Sequence, residues 1–385
     1  MLFFILFIQK PVLAENQSFS INTAITFHSK DFLGLQNNIR SSNKGISEFN
    51  LYYAKDNSIS QLVINYNGYN KFTLDGSYFQ YKKGIATFGI GRTDRNWSFS
   101  NNTSLILSHN ARPLKSIFLE LKNRFGYQWL PSKANWTFEI FNGITEKSLN
   151  NSKSMLLGTR AKISPVEGLD FEFLKTSQWG GKGYGTGMTE LGSALIFDTN
   201  DGSNSNINAM AGFGISYTLP SNIIPLRIYG QAIGEDEAGS LPSCFANLTG
   251  LEWSHTKTKY PITVNIEAID TRIDESTNGN CGANTMYNNH TYDYINYGST
   301  MGTEIDTEGT SLALYIASQI SKKINVKFST KAIVINDNNW LGHRLSSKRQ
   351  SGLINSLGVS WVKNKIVFSG NIYNQDFNLD KASIK

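Results

Sequence analysis

Apolar residues in this chain fall at every second position in short runs, and the connections between runs alternate between short and long. Between Ile223 and Gly239, Leu226, Ile228, Gly230 and Ala232 alternate with Arg227, Tyr229, Gln231 and Ile233, so one face of a two-residue period is apolar and the other mostly polar. That is a strand wet on one side. It runs into Gly234 to Gly239 (GEDEAG), where Glu235, Asp236 and Glu237 require water, a cation or a sugar as partner, and the reading is strand followed by polar loop. The same unit begins at Phe19 to Phe27 and recurs to Ile366 to Ile372, giving about 17 strands, each near the ~9 to 11 residues that cross an outer membrane at a tilt.

Past residue 14 no apolar run is long enough for a membrane-spanning helix, so membrane residence requires closed strands that satisfy every backbone polar group. Composition agrees: aromatic residues make up 12%, charged residues only 17%, hydrophobic residues a modest 40%, and 33 of the 385 residues are glycine. The expected fold is all-β, an antiparallel transmembrane barrel of the outer-membrane type with short periplasmic turns and long extracellular loops. The formal charge of +6 does not point to nucleic acid, because Lys and Arg are scattered rather than gathered on one stripe. Lys82 and Lys83, Lys257 and Lys259, Lys322 and Lys323, Lys363 and Lys365 fall instead in the short turns, where they would face anionic lipid headgroups. Outer-membrane lipid and lipopolysaccharide are expected partners, and the barrel is expected to be a monomer.

Met1 to Ala14 is an apolar run ending in Val12, Leu13 and Ala14, which reads as a signal-peptide core with a small-residue cleavage site, incomplete because nothing basic precedes Lys10. Residues 15–385 then form one barrel domain. Bacterial single-chain barrels have even strand numbers, whereas the run at Ile366 to Ile372 has no return strand after it. Asn378 to Lys385 offers only Leu379 and Ile384 as apolar positions. The expectation is a barrel short of its last strand, closed by a parallel pair between Phe19 to Phe27 and Ile366 to Ile372, or left with a gap. A hairpin overlooked within Thr271 to Gly309 would be the other way to restore an even count.

TLDGSYF (Thr73 to Phe79), SLILSHNARPL (Ser104 to Leu114), TSQWGG (Thr176 to Gly181), YGQAIGEDEAG (Tyr229 to Gly239) and MYNNHTY (Met286 to Tyr292) resemble, in this order, the capsule assembly Wzi family, with a match from about residue 46 to 376. The resemblance implies an 18-stranded outer-membrane barrel that acts as a surface lectin for capsular polysaccharide and performs no chemistry. The chain departs from the family in having nothing to supply a periplasmic helical segment before the barrel, in RNWSFS (Arg95 to Ser100) lacking a Gly-Pro-Gly ending, and in the missing closing strand.

Sugar recognition needs flat apolar faces for pyranose C–H groups beside planar polar groups for paired hydroxyls. The long loops hold that mixture. Trp97 lies with Arg92, Asp94 and Arg95; Asn110 with Arg112; Gln178 with Trp179; Tyr287 and Tyr292 with Asp293 and His290. Residue by residue, hydrogen bonding in a wet lumen explains the same side chains; as a set they form the candidate carbohydrate site, together with Glu235, Asp236 and Glu237. Catalytic carboxylates must face each other across a bond, which neighbours on one loop rarely do. Glu304, Asp306 and Glu308 gather hard oxygen ligands but lack EF-hand spacing, so no metal is assigned; pairing with interior Arg227 or Arg112 is the expected role of the acidic groups. No cofactor motif is present. Cys244 and Cys281 fall in loops of an exported chain, where oxidation is permitted, and are the candidate disulfide. The competing function is a diffusion porin, which would keep an open aqueous lumen.

Overall fold

The computed structural model describes residues 5–8, 12–14, 17–26, 46–67, 72–125, 134–145, 153–195, 207–220, 224–238, 241–256, 258–273, 281–289, 291–363 and 366–379. In chain order the strands are β1 (Ile5–Ile8), β2 (Val12–Ala14), β3 (Gln17–Thr26), β4 (Ile46–Lys55), β5 (Ser58–Asn67), β6 (Phe72–Thr73), β7 (Tyr78–Lys83), β8 (Ala86–Gly91), β9 (Lys115–Arg124), β10 (Asn135–Ile144), β11 (Met155–Val166) and β12 (Leu169–Trp179). One helix, α1 (Met188–Leu195), precedes β13 (Asn208–Thr218), β14 (Leu226–Ala238), β15 (Leu241–His255), β16 (Ile262–Asp270), β17 (Ile295–Asn296), β18 (Ser299–Thr300), β19 (Thr310–Ser321), β20 (Ile324–Ile335), β21 (Gln350–Lys363) and β22 (Ile366–Gln375).

All of these strands except β17 and β18 form one antiparallel sheet of twenty segments. On the side of β5 away from β4, β6 and β7 belong to one stave, and β1 and β2 form another, which leaves eighteen staves. The seventeen strands read from the sequence are all present. The eighteenth comes from the N-terminal run: Ile5 pairs with Ser369 and Ile8 with Ile366, while Val12 pairs with Phe19 and Ala14 with Gln17, all antiparallel. The parallel closing pair or gap expected from parity is therefore not what the sheet does; residues first read as leader stand between the first and last of those seventeen strands. The hairpin inside Thr271 to Gly309 exists, pairing Ile295 with Thr300, but it forms a separate two-stranded sheet and adds nothing to the ring.

Two other boundaries move. The acidic run Glu235 to Glu237 is not a loop: β14 continues through Ala238, with Asp236 opposite Ser243 and Glu237 opposite Pro242 in a long hairpin with β15. A strand that has left the lipid no longer needs an apolar face, so carboxylates are compatible with the ladder there. Gln178 and Trp179 likewise end β12, and α1 lies within the Gly-rich stretch that follows.

Alternation sets the two faces. On β14, Ile228 is 49% exposed on the outer wall, whereas Tyr229, Gln231 and Ile233 turn inward and are buried. Phe88, Ile117, Phe173, Phe213 and Leu312 extend the exposed apolar band around the ring, the surface a bilayer must cover. Lys82, Lys83, Lys259, Lys322, Lys323 and Lys363 are exposed at the short-turn end. Inside, Phe141 packs over its cross-strand partner Gly158 and Tyr229 over Gly250; a Cβ at either glycine would meet the ring at 2.2 Å. The glycines are spaces for aromatic rings that lie flat along the wall.

Candidate functional site

The lumen is filled by two long outward loops that fold back into it, residues 92–114 and the described part of 271–309. Their buried apolar residues, including Trp97, Leu105, Ile106, Met286, Tyr287 and Ile305, form one core with inward-facing Phe141, Leu174, Ile233 and Leu248 of the wall. Buried loop backbone must be hydrogen-bonded, and the wall supplies the partners. Gln231 Nε2 donates to Trp97 O at 2.6 Å, and its Oε1 accepts from Leu105 N at 2.9 Å. Asn102 Nδ2 donates to Glu267 at 2.6 Å, and Arg227 Nη1 donates to Phe99 O at 2.8 Å. The loops also hold each other: Ser108 N donates to Met301 O at 2.8 Å, Tyr287 OH to Leu105 O at 2.6 Å, and Asn110 Nδ2 to Thr300 O at 2.8 Å. Near the outer end, Tyr287 N donates to Glu235 Oε2 at 3.1 Å. Glu235 and Arg227 lie eight residues apart on β14, so at about 3.3 Å per residue these anchors are spread over roughly 26 Å of tilted strand.

The charged groups of the plug are paired, though not as expected. Lys331 Nζ meets Glu304 at 2.7 Å, Arg344 Nε meets Asp306 at 2.7 Å, and Glu308 accepts from Asn284 N at 2.8 Å. Arg227 and Arg112, the partners proposed from sequence, instead bind Glu252 at 2.9 Å and Asp75 at 2.6 Å. Burial alone would raise the Asp306 carboxyl, but the Arg344 guanidinium outweighs it and holds the group below the usual carboxylate range. The three acids point to different partners, and no group of three metal-type ligands occurs among the described residues.

The sequence-derived candidates thus divide by position. Arg92 and Arg112 both clamp the buried Asp75, at 2.8 and 2.6 Å, and Arg112 also stacks 3.8 Å from the Tyr297 ring centroid. Arg95 binds Glu139 at 3.0 Å and lies 4.0 Å from the Phe141 centroid. Asp94 pairs with His109 at 2.6 Å, half exposed, and that hydrogen bond raises the His109 pKa. Trp97, Asn110, Gln178, Glu235, Tyr287 and Tyr292 are all buried; Gln178 donates to Asp293 O at 3.0 Å and Tyr292 OH to Gly180 O at 3.0 Å. Trp179 does not join Gln178: adjacent strand residues face opposite sides, and Trp179 packs on the outer wall with Leu157 and Ala194 of α1. Asp236 and Glu237 are placed by their backbone only, and His290 lies outside the described residues. A disulfide joins Cys244 to Cys281, with Cα atoms 5.4 Å apart, and ties β15 to the plug.

Of the residues lining the open cleft at the outer end, only Glu308 was singled out in the sequence. A cleft of about 490 Å³ at the outer end is lined by Asp270, Arg272, Ile273, Ala283, Glu308, Asp337 and Asn338. Arg272 donates to Asp270 at 2.7 Å and to Asp337 at 3.1 Å, and Arg349 donates to Asp337 at 2.7 Å. Hydrogen bonds from Arg349 and Arg272 keep Asp337 ionised below the usual carboxylate range. Left-handed backbone at non-glycine residues collects beside this cleft, at Asn284, Asp306, Glu308, Asn336 and Asn339.

A family model described as capsule assembly protein Wzi matches residues 14–365. The chain belongs to that family. A curated relative, an uncharacterized 55.8 kDa protein in the cps region of Klebsiella pneumoniae, is 26% identical over 211 residues, 54% of this chain and 42% of the relative; the match therefore spans less than half of that relative. Wzi of Escherichia coli, whose solved structure is described as an outer-membrane, carbohydrate-binding β-barrel involved in group 1 capsule assembly, superposes with a TM-score of 0.71 at 19% identity, covering 98% of this chain and 85% of that one. OprB of Pseudomonas putida superposes at 0.43 and 9% identity, covering 96% and 92%.

Proposed function

We propose that this Wzi-family barrel is an outer-membrane surface lectin that holds capsular polysaccharide on the cell and catalyses no reaction. The observation that carries the reading is the plug: two loops pinned to the wall from Glu235 to Arg227 occupy the space a diffusion channel would need, while their outer ends carry a polar cleft. Arg, Asp and Asn side chains fixed by one another are suited to paired sugar hydroxyls. The absence of chemistry is supported by the state of the exposed carboxylates, since Asp270 and Asp337 are both engaged by Arg272 and Asp337 by Arg349 as well.

The test is binding of refolded protein to arrayed capsular polysaccharides, paired with single-channel recording in planar bilayers. Retention on at least one acidic or neutral capsule polymer without steady conductance is expected. A stable ohmic channel with no polymer retained would overturn the reading in favour of a porin.

A further inference from the structure

Large side chains cover most of the outer wall, but one sector is hollow. Thr249, Ala268 and Ala332 occupy one lateral register across β15, β16 and β20, with Leu312 between the two alanines and Leu353 beyond. Ala268 and Ala332 point outward, because Glu267, Ile269 and Ile333 beside them are buried toward the plug. The result is a groove of about 690 Å³ walled by Leu312 and Leu353, the size of an ordinary ligand site. Its place decides what fills it. Ile266, one register toward the short turns, is 49% exposed in the apolar band, while Asp270 and Ser351, one register outward, are polar. The groove therefore opens sideways at the outer edge of the bilayer, where its neighbours are lipid chains.

The outer end of the groove carries two guanidiniums, each paired with a carboxylate. Arg272 lines it, and Arg349 lies two residues before Ser351. Both side chains are nearly half exposed, at 44% and 47%. Arg349 uses Nε for Asp337 at 2.7 Å, and its two terminal nitrogens carry no hydrogen bond among the described residues. A guanidinium with its outer edge free is suited to a phosphate oxygen pair.

We propose that this groove is a lipid site, seating one acyl chain of a phosphorylated outer-leaflet glycolipid of the lipopolysaccharide type over Ala332 between Leu312 and Leu353, with the headgroup phosphate against the outer edge of Arg349. The site lies on the outer wall and shares Asp270 and Arg272 with the outer cleft, but the seat of the acyl chain does not depend on the polysaccharide reading. It fixes the barrel to the lipid of its own leaflet at one defined sector.

The test is native mass spectrometry of the delipidated full chain in detergent after addition of hexa-acylated lipid A, with phosphatidylcholine as control. The wild type should retain lipid A. The A268F/A332F variant, which fills the groove, and the exposed-site variant R349E should each retain about tenfold less, a loss of about 1.4 kcal/mol, with the phosphatidylcholine background unchanged. Heat-modifiable migration on gels checks that the variants remain folded. Undiminished lipid A retention in R349E, or in folded A268F/A332F, would overturn the proposal; equal retention of phosphatidylcholine and lipid A by the wild type would do the same.

Discussion

Asp306→Asn removes the carboxylate that neutralises Arg344 inside the plug. The two side chains are 1% and 7% exposed, Arg344 Nε lies 2.7 Å from Asp306, and a second nitrogen also contacts that carboxylate while a third meets Asn288. Taking away one member of a buried pair costs about 3–5 kcal/mol, chiefly because the other charge stays buried without a counter-ion. The lower end applies here, since Asn288 and the Asn that replaces Asp306 keep some hydrogen bonds to the guanidinium. About 3 kcal/mol raises the open fraction of the plug roughly 150-fold. Hydrogen exchange read by mass spectrometry on peptides from residues 281–309 measures that opening, and bilayer recordings should show brief conducting events absent from the wild type. The barrel itself should stay folded, because its ladder does not use the pair. Arg344→Met should act similarly, and D306N/R344M should cost less than the two single changes added together. A shift under about 1 kcal/mol for D306N, with strict additivity in the double variant, would refute the view that this pair locks the plug.

Four further outcomes follow from the same geometry. Gln231→Ala strands Leu105 N in the lumen and leaves Trp97 O with Ser104 Oγ alone, and should raise exchange across residues 97–107 by about 1–3 kcal/mol, again without unfolding the barrel. Asp306 has a folded-state pKa below its unfolded one, so its contribution is present above about pH 4 and lost as pH falls through the folded value; conducting events in wild type should begin in acid and not at pH 5 to 8. The loop closed by Cys244 and Cys281 spans 37 residues, and C244S/C281S should lower plug stability by about 2–4 kcal/mol, with the native linkage checked by non-reducing peptide mapping. Folded chain extracted from outer membranes should yield peptides covering Ile5–Ile8, whose pairing with β22 closes the ring; a mature form beginning at Glu15 would instead support the leader reading of residues 1–14.

The ring was legible because lipid on one side and water or plug on the other impose a strict two-residue period, and seventeen staves announce themselves that way. The eighteenth does not alternate: ILFI, at Ile5–Ile8, is apolar throughout, and such a run reads the same whether it is a leader or a strand against lipid. The acidic end of β14 failed for the opposite reason, since beyond the bilayer a hairpin such as Asp236 opposite Ser243 keeps its hydrogen bonds without an apolar face. The candidate site was harder still. Trp97, Gln178, Tyr287 and Tyr292 are the residue types that grip a sugar, and also the types that a polar lumen needs to satisfy buried loop backbone. Their burial depends on where loops 92–114 and 271–309 fold, a choice made by partners more than one hundred residues away, such as Gln231 for Leu105 and Leu105 for Tyr287.

The same long-range pinning bears on how a lectin of this build would work. The outer cleft is shallow and ringed by charged groups already paired with one another, so a single sugar unit displaces water from groups that lose little by keeping it, and one unit should bind weakly. A capsular polymer repeats its unit many times. Weak contacts made in series on a surface that does not move combine as an effective concentration rather than as a deep pocket, and that gain survives only if the contacts keep their spacing. The disulfide to β15, the Arg344–Asp306 lock and the Lys331–Glu304 tie to the wall hold that spacing from three sides. Plug and lectin are then one device: the loops that close the lumen are also what keeps the outer face rigid. D306N therefore separates two measurements, leaving the affinity of a single oligosaccharide repeat nearly unchanged while long polymer binds markedly less. Equal loss for repeat and polymer would place the sugar contact on the Arg344–Asp306 pair itself and overturn the rigid-face argument.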